Sequence, residues 1–276
     1  MANTYRHFSD LWDNPRHFNV GKSFRDGWDM FSRDALPAVG FSIIASLIAL
    51  MGGGILSFIP LIGPIFAQTL IGALLAGFYL AGYRLYRNES IGFSTYFRGF
   101  DHLGQIVIMN LIYAGVYFVL AIVLVLLGAI IGFSFFQDFS SSTSGASPGM
   151  IVFLVLIMVV FFTIIIAFSL AYMFAVPNVT NLKLQAWDAM ELSRRVAFKQ
   201  AGGLLGLFFL IVLINVLGTL LFGIGLLITV PVSMFVVQAA WEQVIGGEGG
   251  QHLDNLIDEF GTDKEEEIQP PFDGSF

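Results

Sequence analysis

Four side-chain amides lie inside long apolar stretches of the sequence, where polar groups are costly: Gln68, Asn110, Asn215 and Gln238. If the four converge, they form a polar cavity that could hydrogen-bond a neutral or lipid-like solute. The alternative is that they join neighbouring helices in pairs, where such a hydrogen bond contributes about 0.6 kcal/mol. We favour the pairwise role, and the tertiary structure distinguishes the two.

The residue sets on which most enzymes depend are missing from the sequence. The chain has no Cys, which excludes disulfides, thiolate metal sites and cysteine nucleophiles. Its 4 His residues are isolated from one another, and it has no Ser–His–Asp set, HExxH helix or phosphate-binding glycine loop. No Asp, Glu, Lys or Arg lies in the middle of an apolar stretch, where such a residue would indicate proton or ion coupling. We therefore predict a non-enzymatic protein with no cofactor and no metal site.

Six apolar stretches supply the elements that must position the amides. With 56% hydrophobic and only 12% charged residues, and a mean hydropathy of +0.79, the composition is that of a membrane protein. About 20 apolar residues in a helix cross the hydrocarbon core of a bilayer. The predicted crossings are Leu36–Phe58, Leu61–Tyr83, Gln105–Phe133, Met150–Val176, Gly202–Phe222 and Gly223–Trp241. The third is longer than a crossing requires, so we expect it to tilt or to emerge at its far end.

The basic residues predict the orientation. All 13 Lys and Arg residues lie before the first crossing, between the second and third, between the fourth and fifth, or in the C-terminal tail. Because cytoplasmic loops carry the excess of Lys and Arg, both termini are predicted to be cytoplasmic. The net charge of −7 comes largely from the tail, and no basic patch suggests a nucleic-acid partner.

A short amphipathic segment precedes each pair of crossings, with aromatic residues at helical spacing and charges on the other face. Such helices commonly lie in the membrane interface with the apolar face down, and the alternative is that they are connectors that pack on the bundle. The predicted membrane-interface residues are Phe24, Trp28, Phe31, Phe93, Tyr96, Phe97, Phe100 and Trp187. In the third segment, Trp187 is predicted to share a face with Met190 and Ala197, and Glu191 to pair with Arg195 at helical spacing. Basic residues in or beside the three segments are placed to hold them against anionic headgroups.

The sequence therefore divides into three parallel units, each an amphipathic helix followed by a transmembrane hairpin. The units are residues 20–88, 91–177 and 183–245, within a six-helix domain of residues 20–245. Residues 1–19 form a cytoplasmic N-terminal segment, and residues 246–276 form a flexible acidic cytoplasmic tail. That tail is either a solubilising segment or a docking peptide for a protein partner.

Several short motifs carry a resemblance to a known group of proteins. They are Gly27-Trp28, Pro60 with Gly63-Pro64, Tyr172 to Pro177 followed by Trp187 and Ser193, and Gly225 to Pro231. Across residues 20–245 the chain resembles the YciC-like bacterial membrane proteins and the membrane domain that precedes glycerophosphodiester phosphodiesterase catalytic domains. The resemblance implies an all-helical protein of the bacterial inner membrane with no assigned reaction. No phosphodiesterase catalytic segment is present, so that activity is not implied.

Two function classes fit these observations. The first is a structural, lipid-interacting or accessory subunit of a membrane assembly, favoured by the uncharged crossings, the aromatic segments and the tail. The second is a transporter or channel for a neutral or lipid-like small solute, which depends on the four amides meeting. Membrane lipids are the expected partners in both cases.

Overall fold

The computed structural model describes residues 18–56, 58–59, 63–141, 148–221 and 223–246, with the backbone alone at 130–141, 148–150 and 153. Within these ranges the chain forms helices and turns, and 6 helices are long and apolar enough to cross a membrane. The predicted all-α, six-crossing membrane fold is confirmed. Most of the N-terminal segment, residues 60–62, residues 142–147 and the acidic tail after Gly246 lie outside the described residues.

The helices follow the predicted segments closely. The first amphipathic segment is α1 (Val20–Arg33), and α2 (Ala35–Leu56) and α3 (Gly63–Tyr86) are the first hairpin. The second amphipathic segment is a 3₁₀ helix (Phe93–His102), followed by α4 (Leu103–Ser141) and α5 (Pro148–Ala171). The short α6 (Ala175–Asn181) leads to the third amphipathic segment, α7 (Ala186–Lys199). The last hairpin is α8 (Ala201–Leu220) and α9 (Leu226–Trp241), which ends in a π-helical turn (Glu242–Gly246).

The third crossing, α4, is much longer than a bilayer requires. Its 39 residues span about 58 Å at 1.5 Å per residue, against a hydrocarbon core of about 30 Å. The outer parts of α4 and α5 present exposed Val, Leu, Ile and Phe side chains. A surface of this composition is suited to contact with lipid.

The core lies toward the end of the bundle that carries the amphipathic segments, and α3 and α9 are its most buried crossings. In this core α1 packs on α9, and the 3₁₀ helix packs on α3. Both contacts depend on glycine. A Cβ at Gly27 would lie 2.7 Å from the backbone of Val236, and a Cβ at Gly99 would collide with the carbonyl oxygen of Ala73.

This packing changes the expected role of two aromatic residues. Phe31 and Tyr96 are buried in the core rather than placed at the membrane interface. The reason is that Phe31 and Tyr96 lie on the face of their segment that packs against the crossings. The hydroxyl of Tyr96 donates a hydrogen bond of 2.6 Å to Asp34, the residue that separates α1 from α2. Burial raises the pKa of Asp34, and the hydrogen bond from Tyr96 offsets part of that increase.

The other predicted interface residues keep some accessibility. Phe24, Trp28 and Phe93 are exposed on the outer face of their segments, and Phe97 and Phe100 are half-buried. On α7, Trp187 is 67% exposed whereas Met190 and Ala197 are buried, so Trp187 lies at the edge of the face that packs inward. The residues of α7 that pack inward are mostly small, which lets the helix lie close to its neighbours.

The charged face of α7 carries the predicted ion pair. The Glu191 carboxylate accepts hydrogen bonds from Arg194 at 2.8 and 2.9 Å and from Arg195 at 2.6 Å. The bonds from Arg194, followed by those from Arg195, hold the pKa of Glu191 below its ordinary value.

Candidate functional site

A groove with a volume of about 610 Å³ lies between α3, α4 and α5. Cavities of about 300–1,000 Å³ are typical of small-molecule sites. Residues spaced three or four apart on each helix line the groove, because such residues share one helical face. Gln68 and Tyr117 are exposed at its rim, so the groove is open on the side of the bundle. We refer to it as the lateral groove.

Small residues bring the two main walls of the lateral groove together. A Cβ at Gly72 of α3 would lie 3.0 Å from Ile106 Cγ2 of α4. Close approach there places Asn110 beside α3, where its Nδ2 donates a hydrogen bond of 3.2 Å to Thr69 Oγ1. Asn110 is buried, so this bond satisfies part of the hydrogen-bonding capacity of its amide.

Aromatic rings form the opposite wall of the lateral groove. The Tyr113 ring centroid lies 5.3 Å from that of Phe168 and 5.6 Å from that of Tyr172. Phe168 also lies 5.5 Å from Tyr117 and 4.7 Å from Tyr172. The groove is therefore mostly apolar and aromatic, with two amides and several tyrosine side chains among its lining residues.

The four amides predicted from sequence do not meet in one cavity. Gln68 and Asn110 both line the lateral groove. Asn215 instead joins α8 to α9, since its Nδ2 donates a hydrogen bond of 2.8 Å to Ser233 Oγ. Gln238 lies buried at the far end of α9, where its Oε1 accepts a bond of 3.0 Å from Asn181. Three of the four therefore join helices in pairs, since Asn110 also donates to Thr69 of α3 while it lines the groove.

A buried polar network surrounds Gln238, and the sequence did not indicate it. Gln238 Nε2 lies 3.4 Å from Glu242 Oε1. Asn178 donates to the carbonyl oxygen of Ala189 at 2.9 Å and accepts from Trp241 Nε1 at 2.7 Å. The network ties α6, α7 and α9 together. In the sequence, Asn178 and Asn181 lie just after the predicted fourth crossing, which ends at Val176.

A second concavity, of about 470 Å³, lies at the end of the bundle that carries the amphipathic segments. We call it the basic pocket, because four cationic side chains line it: Arg84, Arg87, Arg98 and Lys183. Asp101 is the one carboxylate among its described lining residues. Arg84 lies in the last turn of α3 and Arg87 directly after that helix, and both are half-buried. Arg98 belongs to the 3₁₀ helix, and Lys183 to the turn after α6.

Two of the cationic side chains of the basic pocket, Arg98 and Arg87, contact neighbouring side chains. Arg98 Nε lies 3.3 Å from Asp101 Oδ2 in an ion pair one turn apart. The Arg87 guanidinium carbon lies 4.1 Å from the centroid of the Tyr83 ring, a cation–π distance. From the sequence we assigned these basic residues to topology and to a general attraction toward anionic headgroups. Nothing local in the sequence indicates that three separate segments bring them together in one concave site.

Comparisons of the chain with protein-family models, with curated proteins and with solved structures find no match. The resemblance described above therefore depends on the quoted residues alone.

The described side chains offer hydrogen bonding, apolar contact and positive charge. Within the described ranges, no three His, Asp or Glu residues gather in a way that could hold a metal ion. The lateral groove offers amide and aromatic contacts to a ligand, and the basic pocket offers positive charge.

Proposed function

We propose that this membrane protein is a non-enzymatic, lipid-interacting protein that binds the apolar part of a lipid-like amphiphile in the lateral groove. The observation that supports this most strongly is the open side of the groove. In a bilayer, a ligand can enter such a groove from between the lipids without crossing water. A lipid-binding subunit of a larger membrane assembly would need the same feature.

The dimensions and lining of the lateral groove support this assignment. Residues 64 to 79 of α3 line it along a rise of about 22 Å, which is a large part of the hydrocarbon thickness of about 30 Å. Its walls are mostly apolar and aromatic, while Gln68 and Asn110 supply two amide groups. A ligand whose acyl chains carry few polar groups matches that lining.

Transport of a neutral or lipid-like solute is the second candidate function. It would use the same two amides of the groove, Gln68 and Asn110. Asn215 and Gln238 do not contribute, because each is committed to a helix–helix contact. The two candidates differ in one measurement. A carrier moves a fluorescent lipid or solute across the bilayer of reconstituted vesicles, whereas a lipid-binding subunit retains lipid without accelerating its movement.

The groove itself can be tested by filling it. Ala114 lines the lateral groove, and Val119 on the same helix is 60% exposed outside it. We expect Ala114→Trp to reduce photo-crosslinking of the purified full-length chain to a photoactivatable diacyl lipid at least fivefold. Val119→Trp, the control, should leave crosslinking near the wild-type level. Equal crosslinking in both variants, or none in the wild type, would contradict lipid binding in the groove.

We also propose that the protein lies in the bacterial inner membrane with both termini in the cytoplasm. The distribution of Lys and Arg supports this orientation, and so does the position of the basic pocket at one end of the bundle. Because the chain has no Cys, single Ser90→Cys and Ser142→Cys variants report sidedness directly. Ser90 should react with a membrane-impermeant maleimide only from the cytoplasmic side and Ser142 only from the other side. Labelling of both from one side would contradict the topology.

The acidic tail is proposed as a docking segment for a protein partner, on the basis of its run Glu265-Glu266-Glu267. Neutralising the three to Gln should remove a specific co-purifying protein while leaving lipid retention unchanged. If the same proteins co-purify with both forms, the tail is a solubilising segment only.

A further inference from the structure

We propose that the basic pocket binds a phosphate ester, namely the headgroup of an anionic phospholipid whose acyl chains lie in the lateral groove. This inference rests on the proposed lipid-binding function and adds the chemical class of the ligand. A phosphate group carries the charge that the pocket lacks, and guanidinium groups match its geometry with paired N–H donors.

The described lining of the basic pocket carries an excess of positive charge. Four cations face one carboxylate, and that carboxylate of Asp101 is already paired with Arg98. Neither Arg84 nor Lys183 forms a side-chain hydrogen bond or ion pair with another residue in the described part of the chain. Like charges gathered in a concave site repel each other, most strongly between the half-buried Arg84 and Arg87. A bound anion removes that repulsion.

The backbone at Lys183 supports a role for its side chain. Lys183 has a φ of 53°, in the left-handed region that glycine adopts readily and other residues do not. It follows Leu182, the C-cap residue of α6. A glycine would serve the turn better, so the lysine is explained by its charge at the pocket rather than by the turn.

The position of the basic pocket relative to the lateral groove points to a lipid. On α3 the groove lining ends at Tyr79 and the pocket lining includes Tyr83, one turn further along the same face. The other two walls repeat this step, from Ile106 back to His102 and from Val176 to Thr180. Four residues rise about 6 Å in an α-helix. The charged and the apolar site therefore lie end to end on one seam, as the head and the chains of a phospholipid do.

The experiment compares two lipids with the same acyl chains in the full-length purified protein by native mass spectrometry. Phosphatidylglycerol carries the anionic phosphodiester, and diacylglycerol carries none. We expect Arg84→Gln and Lys183→Gly each to weaken phosphatidylglycerol binding roughly fivefold or more, as expected for a cation at an anionic lipid. Diacylglycerol binding should not change.

Matched controls separate the pocket from general surface charge and from misfolding. Arg25→Gln and Lys199→Gln remove the same charges from exposed sites outside the pocket, and both should bind phosphatidylglycerol as the wild type does. Lys183→Gly relieves the left-handed backbone, so its melting temperature should not fall, and weaker binding cannot be attributed to a less stable fold. Equal losses in pocket and control variants, or no loss in either pocket variant, would overturn the site.

Inorganic phosphate distinguishes the two sources of the same chemistry. If millimolar phosphate binds wild type and Ala114→Trp equally, and phosphatidylglycerol binds no better than phosphate, the lipid assignment is overturned. If diacylglycerol still enters the groove but no phosphate dependence appears, the headgroup site fails while the proposed function stands. If phosphate binds but no lipid enters the groove, the proposed function is the part that fails.

Discussion

Replacing Gly27 by alanine measures how closely α1 approaches α9. The new Cβ would lie 2.7 Å from the backbone N, the Cα and the Cγ2 of Val236. Ordinary carbon contacts are about 3.5–4.0 Å, so each is about 1 Å too short. Because two of the three atoms are backbone, α1 must move away from α9, and overpacking of this kind costs about 1–3 kcal/mol.

A matched glycine isolates that cost from helix propensity. Gly115 lies in the interior of α4, and a methyl group added to it would have no neighbouring atom within 4 Å, so Gly115→Ala should gain about 1 kcal/mol of helix propensity. Gly27→Ala has the same gain, so the overpacking cost leaves a net loss of about 0–2 kcal/mol. The two variants should therefore differ by the overpacking cost alone, about 1–3 kcal/mol, or roughly 2–12 °C in the melting temperature of the detergent-purified protein.

The identity of the clashing atoms gives a second test. Val236→Ala removes Cγ2 but neither backbone atom, so the Gly27→Ala, Val236→Ala double variant should recover only part of the lost stability. Complete recovery would mean that the side chain alone limits the approach. A Gly27→Ala protein as stable as Gly115→Ala would refute the close helix–helix contact altogether.

Three further predictions concern polar contacts. Asn178→Leu leaves the buried Trp241 N–H without its acceptor and should destabilise the protein by about 2–4 kcal/mol, whereas Trp241→Phe in the same background should restore part of the loss in melting temperature. The pKa of Asp34 is raised in the folded protein, so the folded protein binds the carboxyl proton more tightly than the unfolded chain does. The free energy of unfolding therefore increases as the pH falls from the folded pKa toward the unfolded value of 3.8. The melting-temperature advantage of Asp34→Asn over wild type should therefore shrink with acid, and an advantage that grows would contradict this sign. The pKa of Glu191 is lowered in the folded protein, so its contribution to stability is present above pH 4.5 and is lost as the pH falls below that value. The melting-temperature advantage of wild type over Glu191→Gln should therefore disappear in acid. A difference that does not change with pH would contradict the ion pair's role.

The aromatic segments illustrate what helical periodicity can and cannot predict. The spacing of Phe24, Trp28 and Phe31 correctly indicated a helix before the first crossing. It placed all three on one membrane-facing side, yet Trp28 is 49% exposed and Phe31 is buried. Gly27 explains the difference, because its contact with α9 fixes the rotation of α1 about its own axis. In that rotation Phe31 is buried and Trp28 stays exposed.

Sequence alone determined the crossings of this protein, because spanning a bilayer is a local property of about 20 consecutive apolar residues. It could not determine which face of each crossing is buried. Lipid chains and the protein core are both apolar, so apolar side chains carry no signal that separates the two surfaces. Tertiary structure decided that Gln238 meets Asn181, 57 residues away in the chain, and that basic residues from three segments form one pocket. Those pairings depend on the rotation and spacing of packed helices, which Gly27, Gly72 and Gly99 fix through contact rather than through pattern.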